Sequence, residues 1–373
     1  MGRVGDSILG RHVTRRRFIQ GSAVTVGAAA LTLANTQCDP ALLRRVHQVT
    51  NGPDANHHVA WVWQFASDGG LDHIASRIQG TGIGVAVKSH DGLDWMAKYD
   101  NHPDHITGPE RLRNVGLYFE DRGIPFHAWC VVKGADPIRE AEMAAACINA
   151  GARSLILDLE GGSGFWHGSV ADALLYGQRL RDLVGPARID ISIDPRPWRI
   201  NLVPMNEFVS FTDGIWPQLY WDTFNSSGNY VGYTNAGFPV PEQGITPEFL
   251  LETNWTITSP YNRWIVPVGQ GSAADPGTWP RFAHRAWSLT TPRVSIWRLG
   301  VTRDEVLRYL AANPPGPEPA APPATPTPTS AASTKTARPT RTPTPKPTRT
   351  PRPTRTPSPS PTLTVTPSLA PPP

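Results

Sequence analysis

Cysteine is scarce in this chain. Its 373 residues include three, Cys38, Cys130 and Cys147, too few for a disulfide scaffold. The central stretch also lacks excess positive charge. The net charge is +4, but residues 1–20 contribute +4 and residues 314–373 contribute +6, which leaves −6 between them. That balance argues against a basic groove on the folded body, so no nucleic-acid partner is expected. No run after residue 34 is apolar and long enough to span a bilayer, which takes about 20 residues. A Gly-x-Ser-x-Gly elbow, a P-loop and a His-x-x-x-His pair are all missing. Their absence speaks against the α/β-hydrolase nucleophile, the phosphate cradle and a familiar metal spacing. No metal or cofactor is expected.

The residues that are present divide unevenly. All 13 tryptophans lie between Trp61 and Trp297, and 21 of the 40 prolines lie from Pro314 onward. Three regions are expected: a leader over 1–38, a body over 39–313 and a tail over 314–373. The body is long enough to bury a core without staples. The tail is Pro, Thr, Ala and Ser with spaced Arg and Lys. With little apolar surface to bury it should be disordered and extended, either as a stalk touching acidic cell-wall polymers or as an idle terminus. The leader reads Thr14-Arg15-Arg16-Arg17-Phe18-Ile19-Gln20, followed by the charge-free apolar run Gly21 to Ala34. It resembles a twin-arginine signal peptide. That resemblance implies passage through the twin-arginine export machinery and a secreted or cell-surface location. Cys38 offers a lipid-anchor position, although Asn35-Thr36-Gln37 departs from the usual small residues before such a site. Cys130 and Cys147 could be paired or be two buried thiols.

Eight β-rich runs recur along the body: Ala60–Phe65, Gly82–Lys88, Ile124–Val132, Ser154–Glu160, Arg188–Asp194, Gly214–Trp221, Trp264–Gln270 and Arg293–Leu299. Helical patterns fall between most of them, at Pro109–Arg122, Asp136–Ala150, Val170–Val184 and Thr302–Ala311. Thr302 and Glu305 have capping-box spacing, and Thr246-Pro247 reads as a helix start. Eight strands alternating with helices over about 250 residues match an α/β fold, the (β/α)8 TIM barrel. The alternative is a doubly wound open sheet, which needs a Gly-rich turn after its first strand. Phe65-Ala66-Ser67-Asp68-Gly69-Gly70 is not such a turn. The segment Asp222–Arg263 shows no strong periodicity and is expected to be a loop walling the barrel mouth.

Side chains alternate across a strand, so each run sorts into two faces. Leu155, Leu157 and Leu159 oppose Ile156, Asp158 and Glu160; Ile189, Ile191 and Ile193 oppose Asp190, Ser192 and Asp194; Val85 and Val87 oppose Ala86, Lys88 and His90. The aliphatic faces belong under helices, and the mixed faces belong inside the barrel. Barrel active sites sit at the C-terminal mouth. The strand ends would bring Trp63, Gln64, Lys88, His90, Trp129, Asp158, Glu160, Asp194, Gln218, Tyr220, Trp221, Gln270 and Trp297 to that mouth.

Asp158 and Glu160 are the sharpest feature. Like charges at i and i+2 on one strand raise one pKa, so one carboxyl can stay protonated as a general acid. Glycoside hydrolysis needs such an acid, and tryptophan and tyrosine faces suit sugar rings. A polysaccharide or oligosaccharide is the partner this points to, with Glu160 and Asp158 catalytic and the other mouth residues in contact with substrate. A plain strand end with Asp158 or Glu160 paired to Lys88 is the simpler alternative. Lys88 could also form a Schiff base, which requires cationic or apolar surroundings rather than carboxylates.

These runs resemble the barrel glycoside hydrolases of chitinase type (family 18) and lysozyme type (family 25). In the chitinase type a fourth-strand Asp-x-x-Asp-x-Asp-x-Glu supplies the acid, a sixth-strand Met-x-Tyr-Asp orients substrate and a last-strand Trp floors the site. The resemblance implies Glu160 as acid, Asp158 as its partner, Tyr220 against the substrate and Trp297 beneath it. Arg153 and Ile156 stand where two of the motif aspartates would be, and Trp221 separates Tyr220 from Asp222. The seventh strand ends Val268-Gly269-Gln270 without the carboxylate nucleophile of the commonest retaining barrels. Asp194, Asp91, Asp222 or an acetamido group of the substrate could fill that role. A barrel that binds carbohydrate without cleaving it is the other function these residues allow.

Overall fold

The computed structural model describes residues 57–289 and 293–316. The leader with its arginine pair, Cys38 and all but the first three residues of the expected tail lie outside that range. The strands are β1 (Val59–Val62), β2 (Gly84–Asp91), β3 (Asp94–Trp95), β4 (Phe126–Val131), β5 (Ser154–Leu159), β6 (Arg188–Ile193), β7 (Gly214–Leu219), β8 (Trp264–Ile265), β9 (Val268–Gln270) and β10 (Ser295–Trp297). Parallel pairing runs β1-β2-β4-β5-β6-β7-β9-β10 and returns from β10 to β1. That last pairing closes the ring and excludes the open doubly wound sheet.

Two of the ten strands are halves of one. β8 pairs with Gly214 and Ile215, while β9 pairs with Gln218 and Leu219 further along the same neighbour. The interruption falls at Val266-Pro267, where proline has no N–H to donate to a ladder. β3 pairs antiparallel with the end of β2 as a short hairpin. The remaining eight positions form a (β/α)8 barrel.

The barrel has two apolar layers, as alternation requires. Leu155, Leu157, Leu159, Ile189, Ile191, Ile193, Val85 and Val87 face outward and join the helices in the large core. Val59, Trp61, Ala86, Trp129, Val131, Ile156, Trp216, Val266 and Val268 fill the interior. Asp190 also faces in but lies low in the barrel, where Arg188 Nε donates to it at 3.0 Å and both are buried.

Local caps explain where the helices start. Asp136 accepts from the Arg139 N–H and opens the helix Pro137–Asn149. Ser169 and Asp172 form a reciprocal capping box on Val170–Val184. Thr246 accepts from the Phe249 N–H ahead of Pro247–Thr258, as its sequence suggests. The box expected at Thr302 and Glu305 does not form. Thr302 Oγ1 instead donates to the Arg298 carbonyl at 2.8 Å, and the helix begins at Asp304.

The segment expected to be a loop after β7 is largely helical. It carries Trp221–Phe224, Ser227–Asn235 and Pro247–Thr258. Tyr233 pins the second of these between Trp198 and Phe249, at ring distances of 5.1 Å to each. Cys130 and Cys147 are both free and buried, which decides between the two states left open by their sequence.

Gly177 marks a close approach between helices. A Cβ there would lie 2.1 Å from a ring carbon of Phe211. Glycine to alanine inside a helix ordinarily adds about 0.5–1 kcal/mol of stability. Here the crowding should reverse the sign. Gly177→Ala is expected to lower the urea midpoint by a loss of about 1–3 kcal/mol, the usual cost of overpacking. An unchanged or higher midpoint would show that the Phe211 ring moves aside freely.

Candidate active site

β5 carries Asp158 inward at its last turn, and Glu160 follows two residues later on the same side. The loop after them doubles back at once: Trp166 donates its N–H to the Glu160 carbonyl at 2.9 Å, and its buried ring meets Phe208 edge-on at 4.9 Å. Gly161, Gly162 and Gly164 supply this turn, with φ of 121° and 87° at the last two. Glycine adopts those angles without steric cost. Phe165 is thereby carried over the barrel mouth.

One amide from β7 holds the two acids. Gln218 Nε2 donates to Asp158 Oδ1 at 3.0 Å and to Glu160 Oε1 at 2.9 Å. These two oxygens are therefore no more than about 6 Å apart. Gln218 Nε2 also lies 3.3 Å from Ser192 Oγ.

Burial and like charge make both acids hold protons more tightly than usual. Burial is the main cause for Asp158. The charges of Glu160 and Asp91 add to it, while Lys88 and the Gln218 hydrogen bond oppose it. The outcome is a pKa well above the ordinary carboxylate range. Glu160 is also raised, again chiefly by burial. The Gln218 hydrogen bond opposes this, Asp194 adds to it, and Arg199 and Arg196 pull back. Burial, then the charges of these acids, pushes the Tyr220 phenol well up, so its hydroxyl keeps its proton.

Above these groups lies a cavity of about 400 Å3, within the usual size range of small-molecule sites. Trp61, Trp63, Trp129, Phe165, Tyr220 and Trp297 supply its aromatic walls, and Lys88, Asp91, Asp158, Glu160, Ser192 and Gln218 supply its polar ones. The aromatics brace one another. Trp61 lies 5.1 Å from Trp129 and 5.7 Å from Trp297, and Tyr220 stacks on Trp297 at 6.5 Å with 28° between planes. Lys88 Nζ sits 5.2 Å over the Trp129 ring and 3.1 Å from Asp91 Oδ2. Asp91 Oδ1 is 2.7 Å from Lys133 Nζ.

Of the residues expected at the mouth, Trp63, Lys88, Trp129, Asp158, Glu160, Gln218, Tyr220 and Trp297 line this cavity. The other five lie elsewhere. Gln64 stands at the start of the helix after β1 and donates to the Tyr99 carbonyl at 2.8 Å. Trp221 is buried in the outer layer against Trp279 and Phe282. Gln270 is spent on backbone: its Oε1 accepts from the Asp222 and Thr223 N–H groups at 3.1 and 3.2 Å. Asp194 is gripped by Arg196 at 2.5 Å and Arg199 at 3.3 Å. None of the segment 222–263 reaches the cavity; Gly164 and Phe165 from the loop after β5 do.

His90 fails for a different reason. A bulge between Lys88 and His90 shifts the register, so that Lys88 pairs with Trp129 but His90 with Cys130 and Asp91 with Val131. Cys130 belongs to the outer core and Val131 to the inner one. His90 therefore turns outward, where its ring meets Trp95 at 5.6 Å and its Nδ1 pairs with Ser89 Oγ at 2.9 Å. Burial drives its pKa down to about 3, so it stays neutral. Asp91 takes the inward position. Trp61 was recoverable from alternation with Trp63, whereas Phe165 carries no local signal beyond the glycines around it.

Fold and cavity together define a (β/α)8 barrel with paired acids at the end of its fourth barrel strand. No family model and no curated protein sequence matches the chain. Solved structures are similar to it in fold. A glycoside hydrolase family 18 N-acetylglucosaminidase from Paenibacillus barengoltzii has 10% identity and a TM-score of 0.46, covering 69% of this chain and 99% of that one. Active domain 2 of the chitinase from Pyrococcus furiosus has 11% identity and a TM-score of 0.45, covering 69% and 94%. The citrate synthase SbnG has 12% identity and a TM-score of 0.37, covering 71% and 94%.

The raised pKa of Asp158 makes stability depend on pH. Folded Asp158 keeps a proton that the unfolded chain releases above about pH 3.9. Stability therefore falls as pH rises from there through the folded-state value. Asparagine does not titrate and retains a carbonyl oxygen for Gln218. The Tm of Asp158→Asn minus that of the wild type should grow between pH 4 and pH 8. An equal difference at both would show that burial leaves Asp158 unshifted.

Proposed function

We propose that the protein is a glycoside hydrolase that cleaves O-glycosidic bonds of a cell-wall or extracellular glycan. The observation that carries this is the Asp158–Gln218–Glu160 arrangement at the wall of an aromatic cavity. Glu160 is the general acid: it is part-buried, its raised pKa suits it to hold a proton, and it lines the cavity where a glycosidic oxygen would lie. Asp158 keeps the pair from carrying two negative charges, and Gln218 fixes both side chains in place. Trp297 and Tyr220 offer stacked faces for a sugar ring, with the Tyr220 hydroxyl available as a donor.

The leader supports export by the twin-arginine route, which would place such an enzyme with its glycan outside the cytoplasm. The tail would then act as a stalk. Lys88 stands against the Schiff-base alternative, since it is salt-bridged to Asp91 and an activated amine needs the opposite surroundings.

The test is release of reducing ends from peptidoglycan, chitin oligomers and α- and β-glucans, for the wild type beside Glu160→Gln. The wild type should release sugar from at least one. Glu160→Gln should lower kcat by about 10²–10⁴-fold, the usual contribution of a general acid, while glycan binding persists. Wild-type activity should fall as pH rises through the raised Glu160 value, because the acid must be protonated. Tight binding without release by the wild type would instead make the protein a carbohydrate-binding barrel.

A further inference from the structure

Hydrolysis needs a second group besides the acid, to direct water or to attack the sugar itself. Among the carboxylates suggested for this, two are committed elsewhere. Asp194 is held by two guanidinium groups, and Asp222 accepts from the Ala274 N–H at 2.8 Å. Neither lines the cavity. Asp91 does, and only because of the bulge that turns His90 away.

Register fixes where Asp91 stands. It pairs with Val131 on β4, and Val131 pairs with Asp158 on β5. Asp91 and Asp158 are therefore at one height, two strand spacings apart, or about 9–10 Å between backbones. Glu160 lies beyond Asp158, on the side of Gln218, Arg196 and Arg199. The cavity thus has Asp91 on its β2 wall and Glu160 on its β5 wall. A sugar placed between them would meet a carboxyl on each side. Inverting glycosidases set their two carboxyls about 6.5–9.5 Å apart to admit a water, whereas retaining ones hold them at about 5–5.5 Å.

The surroundings of the two walls differ in charge. Asp91 is bridged by two ammonium groups, Lys88 and Lys133, at 3.1 and 2.7 Å. Asp91 Oδ1 is buried against Lys133, so a water would meet Oδ2, which has a second lone-pair position besides the one facing Lys88. Asp158 and Glu160 are packed with each other and with burial, conditions that favour the protonated form. One wall holds a carboxyl bridged by two ammonium groups, and the other holds a buried acid pair shared by one amide.

We propose that Asp91 is the general base of an inverting hydrolysis, with Lys88 and Lys133 as its positioning residues. The inference rests on the glycosidase function proposed above. In the step, Asp91 removes a proton from a water molecule, and the water oxygen forms a bond to the anomeric carbon. The bond from that carbon to the glycosidic oxygen breaks, its electron pair stays on the departing oxygen, and Glu160 donates a proton there. Two hydroxyl products result, with Asp91 protonated and Glu160 ionised, and proton exchange with solvent resets both.

The deciding experiment is the anomeric configuration of the first product, followed by proton NMR as the wild-type full chain cleaves whichever oligosaccharide of the panel it accepts. Inversion is the expected result. Retention would overturn the assignment of Asp91 while leaving the glycosidase intact, and would point to an attacking group carried by the substrate. A wild type that cleaves no glycan would overturn the underlying function as well, so the two failures are distinguishable. As a second measurement, Asp91→Asn should lower kcat at least 100-fold with KM within threefold of wild type. Lys133→Ala, which leaves Asp91 in place, should lower kcat by a smaller factor. An Asp91→Asn variant that folds and retains wild-type kcat would refute the proposal.

Discussion

Two carboxyl groups that leave one strand on the same side cannot both be charged cheaply inside a barrel. Asp158 and Glu160 are forced together by the period of β5, and burial removes the water that would screen them. The Gln218 amide can donate one hydrogen to each acid, but it brings no full positive charge to neutralise them. Lys88, Arg196 and Arg199 act from the edges. The result is a site whose acids hold their protons above the ordinary carboxylate range. Its chemistry, its sensitivity to pH and its cost to stability all come from that one constraint, as is common where function needs a strained arrangement of charge.

The rest of the barrel is arranged so that this pair can exist. Beneath and beside it, tryptophans fill the interior, and their mutual contacts at 5–6 Å leave little freedom for any one ring. This rigid aromatic packing defines the cavity shape. Outside, the aliphatic faces of β5 and β6 bind the strands to their helices, so that the ends of those strands are held at fixed heights. The polar groups of the mouth then need few contacts of their own to stay in place. Arg196 and Arg199, for instance, both reach Asp194 and so form a supporting cluster beside Glu160 rather than a contact surface within the cavity.

Charge distribution separates the two walls of the mouth. The β2 wall collects lysines around Asp91, whereas the β5 wall collects acids around an amide. A ligand entering between them would meet Asp91 with its lysines on one side and the amide-held acid pair on the other. Because the bulge at Lys88 and His90 moves Asp91 inward, this asymmetry depends on a single extra residue in one strand, in keeping with the frequent occurrence of bulges beside active sites.

Alternation along each strand was enough to read most of this from the sequence. Leu155 against Asp158, Ile191 against Ser192 and Val87 against Lys88 follow from a period of two, and eight such runs in βα order imply the barrel. Glu160, Gln218, Tyr220 and Trp297 could be placed at the mouth by counting to the ends of those strands. The count failed where regular geometry failed. A bulge reverses parity without any mark in the residues themselves, so His90 and Asp91 exchanged places. Gln64, Gln270 and Trp221 lie just past or at strand ends, where the chain turns and alternation no longer decides which side they face. Within 222–263 the start of the helix Pro247–Thr258 was legible at Thr246-Pro247, but Ser227–Asn235 was hidden because ring contacts of Tyr233 with Trp198 and Phe249 hold it rather than a strong periodic pattern. The sequence by itself determined which residues alternate, and hence the barrel and its acid pair. Only the tertiary structure decided which polar groups share the cavity, because that depends on the pairing register between strands that are distant in the chain.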